Sequence, residues 1–187
     1  MLNLINLKRA LVALLVIAPL SFSVFAAEDE DGQRKPPEAR TSGTLGPQVM
    51  RAISDIQEMM SPEDEEDEPD LAGAKVALDE LYERRYERMN DFEKSTLLNF
   101  FTNYYLTTEN YVEAVKIFEE LLTIETLRTD TRLRTLRSLG QLYAAEENWQ
   151  NSIRYYQEWR DLSDFEDSVV FRGLSYAHYQ LEEYEPA

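Results

Sequence analysis

From Asp70 to Glu185 the apolar residues recur every three or four positions, with no proline and only Gly73, Gly140 and Gly173. That spacing follows the 3.6-residue helical turn and not the two-residue period of a strand. It predicts helices near 47–60, 71–88, 91–107, 109–124, 130–145, 148–162 and 165–182. Start signals agree with these bounds. Asn90-Asp91-Phe92-Glu93 and Ser163-Asp164-Phe165-Glu166 both have the form of a capping box, in which the Glu reaches back to the cap. Residues 27–46 break the pattern: they hold Pro36, Pro37, Gly32, Gly43 and Gly46 without apolar periodicity, and read as a flexible tether.

The helical pattern also repeats. Leu98, Phe101, Thr102 and Tyr105 are followed by Tyr111, Ala114, Phe118 and Leu121. Leu136, Leu139, Gly140 and Tyr143 are followed by Trp149, Ser152, Tyr156 and Trp159. Phe171, Leu174, Ser175 and His178 are followed by Tyr184 and Ala187. The three sets superpose without gaps at offsets of 38 and 35 residues. They resemble the tetratricopeptide pattern W-x2-L-G-x2-Y, then A-x3-F. A small eighth residue lets helix A approach helix B, and a small twentieth sits where B crosses A. Ser152 keeps that site small, whereas Thr102 is a bulky eighth residue.

The predicted fold is therefore all-α, a tetratricopeptide-like α-solenoid of antiparallel helix pairs behind a signal peptide and tether. Its parts are a weak repeat at 47–88 with an acidic insert at 61–70, repeats at 91–128 and 129–164, and an incomplete repeat at 165–187. Residues Thr123 to Arg132 lengthen the junction between the second and third repeats. The last helix carries Val169, Phe171, Leu174, Tyr176, Tyr179 and Leu181. That is too apolar all round for the polar outer face of a terminal repeat, so further repeats are expected beyond residue 187.

The first 26 residues read as a cleaved secretory signal: Lys8 and Arg9, an apolar run from Ala10 to Phe22, then Val24 and Ala26 as the small residues of the cleavage site. No other stretch is apolar enough to span a membrane, so the expectation is a periplasmic protein with no stable membrane insertion once the signal is cleaved; the alternative is that the first segment stays on as an uncleaved inner-membrane anchor. Charge sharpens the picture. The chain has 19 Lys+Arg against 36 Asp+Glu, for a net −17, and cleavage after Ala26 removes Lys8 and Arg9 to leave −19. Such a balance argues against a nucleic-acid partner. Zero Cys and a single His exclude thiol chemistry, Cys-ligated metals and multi-His sites. The acidic run Glu63–Asp70 lacks the spacing of a calcium-binding loop and reads as a solvated loop. No cofactor, metal site, catalytic constellation or small-molecule substrate is evident.

Several segments carry a closer resemblance: Met89-Asn90-Asp91-Phe92-Glu93, Asn110 to Glu119, Thr135 to Tyr143 with its Leu-Gly-Gln-Leu-Tyr, and Tyr155 to Trp159. Together they resemble the exported tetratricopeptide proteins that accompany TonB–ExbB–ExbD systems in Gram-negative bacteria, with Gln33-Arg34-Lys35 as the basic mature start. The acidic insert departs from that family. What the resemblance implies is an accessory of energised outer-membrane uptake, with TonB, ExbB, ExbD or an outer-membrane receptor as partner.

In an array of helix pairs the A helices line the concave face. The second, fifth, ninth and twelfth positions then point into a groove. They are Thr96, Asn99, Asn103 and Leu106, then Arg134, Arg137, Gln141 and Ala144, then Val169, Arg172, Tyr176 and Tyr179. This stripe holds three Arg and no acid. The partner-binding candidates are Asn99, Asn103, Arg134, Arg137, Gln141, Arg172, Tyr176 and Tyr179, which suit an extended or helical segment bearing carboxylates. The same Arg could instead pair with surface acids and bind nothing. Two functions remain open. One is a non-enzymatic scaffold, serving the TonB machinery or else envelope assembly or division. The other is an accessory repeat domain of an enzyme whose catalytic part lies beyond residue 187.

Overall fold

In a computed structural model the described residues are 43–64 and 67–181. The expected signal peptide, residues 27–42 of the expected tether, and Tyr184 and Ala187 of the last repeat lie outside them. The described chain is all-α: seven α-helices and no strand. They are α1 (Pro47–Met60), α2 (Leu71–Arg85), α3 (Asp91–Thr107), α4 (Tyr111–Leu122), α5 (Thr129–Ala145), α6 (Trp149–Leu162) and α7 (Ser168–Gln180), with a 3-10 turn at Tyr86–Arg88. Each helix packs on the next, and α1 also packs on α3 and α5 on α7. These are packed helix pairs, compatible with a tetratricopeptide-like helical repeat. No described helix is long and apolar enough to cross a membrane.

Apolar spacing decides which faces meet. Val49, Ile53 and Ile56 of α1 form one core with Leu78 and Leu81 of α2 and with Met89, Leu97 and Phe101 around α3. Leu98, Leu121 and Ile124 bury the α3–α4 contact. The α3 start has the expected capping box: Asn90 Oδ1 accepts from the Glu93 N–H at 2.9 Å, and Glu93 Oε2 accepts from the Asn90 N–H at 3.0 Å. The other Glu93 oxygen accepts from the Gly46 N–H at 2.9 Å. Gly43 to Gly46, the end of the segment read as tether, thereby lie against the α3 N-terminus, with Leu45 packed on the first core.

The second expected capping box does not form. Ser163 Oγ turns instead to the Phe165 backbone, and the cap is Asp167, whose carboxylate accepts from the Val169 N–H at 2.7 Å. The last helix accordingly begins at Ser168 and not near 165. A serine hydroxyl bonds its own turn readily, and Asp167 is as good a cap placed closer to the apolar stripe.

The A-to-B turns of the second and third pairs are built alike. Glu109 and Glu147 adopt positive φ (55° and 62°). The Asn110 and Asn148 N–H groups reach back to the Tyr105 and Tyr143 carbonyls at 2.8 and 2.9 Å. This closes the outgoing helix by a Schellman motif. The same Asn side chains then cap α4 and α6 by accepting from Glu113 and Asn151 N–H. One residue ends a helix and starts the next, which makes the pair tight and antiparallel. The longer junction after α4 is held differently: Arg132 donates to the Leu122 and Ile124 carbonyls at 3.0 and 2.7 Å.

Candidate partner-binding site

The predicted stripe falls on α3, α5 and α7. On α3, Asn99 and Asn103 are exposed, and each makes a local bond. Asn99 donates to the Ser95 carbonyl at 2.8 Å, and Asn103 Oδ1 accepts from the Thr107 hydroxyl at 3.5 Å. On α5, Arg134 is exposed and stands 3.8 Å from Asp130 one turn back. An exposed pair of this kind contributes about 0.2–1 kcal/mol, so the guanidinium exchanges partners easily. Gln141 is half-buried.

Arg137 has a different role. Its guanidinium donates to Asp167 at 2.9 Å, tying α5 to the cap of α7. Burial alone would raise the Asp167 pKa. The Val169 N–H and the Arg137 guanidinium outweigh burial and hold the carboxyl below its usual range. Arg137 is thus a strut between the third pair and α7. On α7, Arg172 is exposed and has no ion-pair partner among the described residues. Tyr176 and Tyr179 are also exposed, and the Tyr176 ring meets Trp149 edge-to-face at 5.5 Å.

Because α5 packs on α7, the structure brings Arg134, Arg137, Gln141, Arg172, Tyr176 and Tyr179 onto two adjacent helices. Asn99 and Asn103 stand on α3, which meets α5 mainly through α4. The α5–α7 surface offers planar cations and amphipathic rings, which suit carboxylate-bearing polypeptide better than a small molecule. Two open clefts lie elsewhere. One of about 410 Å³ is lined by Tyr86, Asp91, Lys94, Glu120 and Thr126, and one of about 220 Å³ by Pro47, Arg85, Arg88 and Met89. Among the described residues no three His, Asp or Glu converge as a metal-holding group.

Spacing along the chain missed one set of residues. Adjacent carboxylates on α4 brace it to both neighbours. Glu119 Oε1 accepts from the Tyr143 and Tyr155 hydroxyls of α5 and α6 at 2.8 and 2.7 Å. Glu120 accepts from the Tyr82 hydroxyl of α2 at 3.0 Å. Burial first, then the bonded carboxylate, pushes Tyr82 and Tyr143 each up to about 12. Successive helical residues point about 100° apart, so a Glu-Glu pair on a central helix can serve two sides. The aromatics at 82, 143 and 155 were the available signal.

No protein-family model matches the chain, and neither does any curated protein or solved structure.

Proposed function

We propose that this chain is a non-enzymatic interaction scaffold of the tetratricopeptide type. It works in the periplasm, after loss of its signal peptide, as an accessory of TonB-dependent outer-membrane uptake. The observation that carries the scaffold reading is the recurrence of one pair design: Glu-Asn turns at 109–110 and 147–148 and small residues at each crossing, Ala114 in one pair and Gly140 with Ser152 in the other. Such pairs exist to present a surface built from successive A helices. The Arg134, Arg172, Tyr176 and Tyr179 surface is the partner site. Export rests on Lys8-Arg9, the apolar run to Phe22 and the Val24–Ala26 site. The TonB assignment rests on the resemblance at 89–93, 110–119 and 135–143.

The test is crosslinking in living cells under iron limitation with the tagged full chain. Recovery of TonB, ExbB, ExbD or an outer-membrane receptor, lost in Arg134→Glu/Arg172→Glu, supports the reading. Arg137 is left intact because it braces α7. Recovery of wall-synthesis or division proteins instead overturns the TonB assignment. Capture unchanged by the double reversal overturns the site.

A further inference from the structure

In this acidic chain an arginine usually meets a carboxylate, but one neighbouring pair does not. Arg84 stands 3.6 Å from Glu80, Arg137 2.9 Å from Asp167 and Arg154 3.9 Å from Glu158. Arg85 and Arg88 are exposed and make no ion pair or hydrogen bond among the described residues. Both line the open cleft of about 220 Å³ at the start of α1. Of the described residues in its wall, one other is charged, Glu93. That carboxylate is 8% exposed, and main-chain N–H groups hold both its oxygens, Gly46 at 2.9 Å and Asn90 at 3.0 Å. Two guanidinium groups and one carboxylate leave the wall at a net single positive charge, with the arginine donors free. Gly46 caps α1 without a side chain and the first turn holds no acid, so the helix start adds partial positive charge to the cleft the arginines define.

We propose that this cleft receives a glutamate side chain from an acidic segment of a partner protein. Arg85 and Arg88 grip the carboxylate, which a guanidinium fork matches in a bidentate way. Pro47, Val49 and Met89 form the apolar wall along which the glutamate stem lies. Size decides against a free small molecule, since sites that enclose one measure about 300 Å³ or more. Charge decides against phosphate. A phosphomonoester carries about −1.5 to −2 near neutrality, too much for this wall and for the buried Glu93 beside it. The net charge of −17 does not keep an acidic segment away, because salt screens charges beyond about 8 Å under physiological conditions. Arg85, in the last turn of α2, also complements that helix's dipole, a role that needs no ligand. The proposal is independent of the Arg134/Arg172 surface, so either can fail alone.

The probe is the peptide Ala-Leu-Glu-Leu-Ala, blocked at both ends and titrated into the isotope-labelled full chain. Binding is read by nuclear magnetic resonance at the Met89 backbone N–H and at the Nε–H groups of Arg85 and Arg88. Saturable movement of all three signals is expected. Peptides with glutamine or phosphoserine in place of the glutamate should bind about tenfold more weakly or worse. The double variant Arg85→Gln/Arg88→Gln should lose as much, the least that removing charge-assisted hydrogen bonds costs. Its helical content should not change, since both side chains are exposed and unpaired. Arg134→Glu/Arg172→Glu should leave this binding as it is. Signals that do not move overturn the proposal and leave Arg85 as a counter-charge to the α2 dipole. Equal binding of the glutamate and glutamine peptides, or binding indifferent to the Arg85/Arg88 substitutions, overturns it too. Tighter binding of the phosphoserine peptide replaces the carboxylate site with a phosphate site.

Discussion

The second and third helix pairs build the same crossing with one difference, the bulk carried by the A helix. In α3–α4 the A helix brings Thr102 and the B helix brings the fully buried Ala114, with Phe118 one turn on. In α5–α6 the A helix brings Gly140, and the B helix lays the Tyr156 ring over it. A Cβ on Gly140 would lie 2.6 Å from that ring, and a Cβ on Gly173 of α7 would lie 2.6 Å from its Cζ. Removing bulk from the A helix therefore does more than open space beside the B-helix ring. It puts one ring between two helices, so the third pair and α7 pack as one unit, reinforced by Arg137 and Asp167. Phe118 has no glycine facing it in this way among the described residues.

The largest expected effect breaks this arrangement. Tyr156→Ala and Phe118→Ala should each cost about 3–5 kcal/mol in urea unfolding, the usual range for truncating a buried aromatic. The two should part in hydrogen exchange: Tyr156→Ala speeds exchange along α7, while Phe118→Ala leaves α7 at the wild-type rate. Equal acceleration of α7 in both variants would show that the ring does not couple the pair to α7.

A smaller effect sharpens the same contrast. Gly140→Ala and Gly173→Ala each push a methyl into the Tyr156 ring. Overpacking costs about 1–3 kcal/mol, of which the gain in helix propensity returns up to about 1. A net loss in both variants is the expectation. Combining Gly140→Ala with Tyr156→Leu should cost less than the sum of the two, with a coupling of about 0.5–3 kcal/mol typical of touching residues. Strict additivity would place the strain elsewhere.

Gly140 as a close-approach position was legible because the repeat register put a small residue opposite Ser152. Helix existence was legible for the same reason, down to a residue or two at most ends. What stayed hidden depends on which neighbour a polar group selects. Asp167 and Ser163 compete for one helix start, and only the fold, with Arg137 within reach of Asp167, favours Asp167. Within the candidate stripe, spacing alone could not separate Arg137, which is bonded to Asp167, from Arg172, which has no ion-pair partner among the described residues.

Titration tests the two braces from opposite ends of the pH scale. Tyr82 and Tyr143 ionise near 10 when unfolded and near 12 in the fold. A raised folded pKa means that their contribution is complete below about pH 10 and is lost as pH rises toward about 12. Tyr82→Phe and Tyr143→Phe should flatten alkaline unfolding in that window. Asp167 behaves in reverse: its folded pKa is lowered, so its contribution is present above the usual carboxylate range and is lost as pH falls through and below it. Arg137→Gln should move that acid loss to higher pH. An unchanged acid limb would mean that the Val169 and Val170 N–H groups hold the carboxylate without Arg137.

The smallest effect concerns the turns that the two pairs share. Glu109 and Glu147 hold the left-handed conformation at the residue after the helix cap, where glycine is the usual choice. For a residue with a Cβ that conformation costs about 1–2 kcal/mol. Glycine escapes this cost but loses about 0.5–1 kcal/mol more chain entropy on folding. Glu109→Gly and Glu147→Gly should therefore each stabilise the chain by about 0.5–1 kcal/mol, and the double variant should gain roughly the sum because the turns belong to different pairs. A fall in the urea midpoint for either variant would mean that its Glu side chain contributes more than the backbone strain it carries. The contrast between the pairs would then extend from their crossings to their turns.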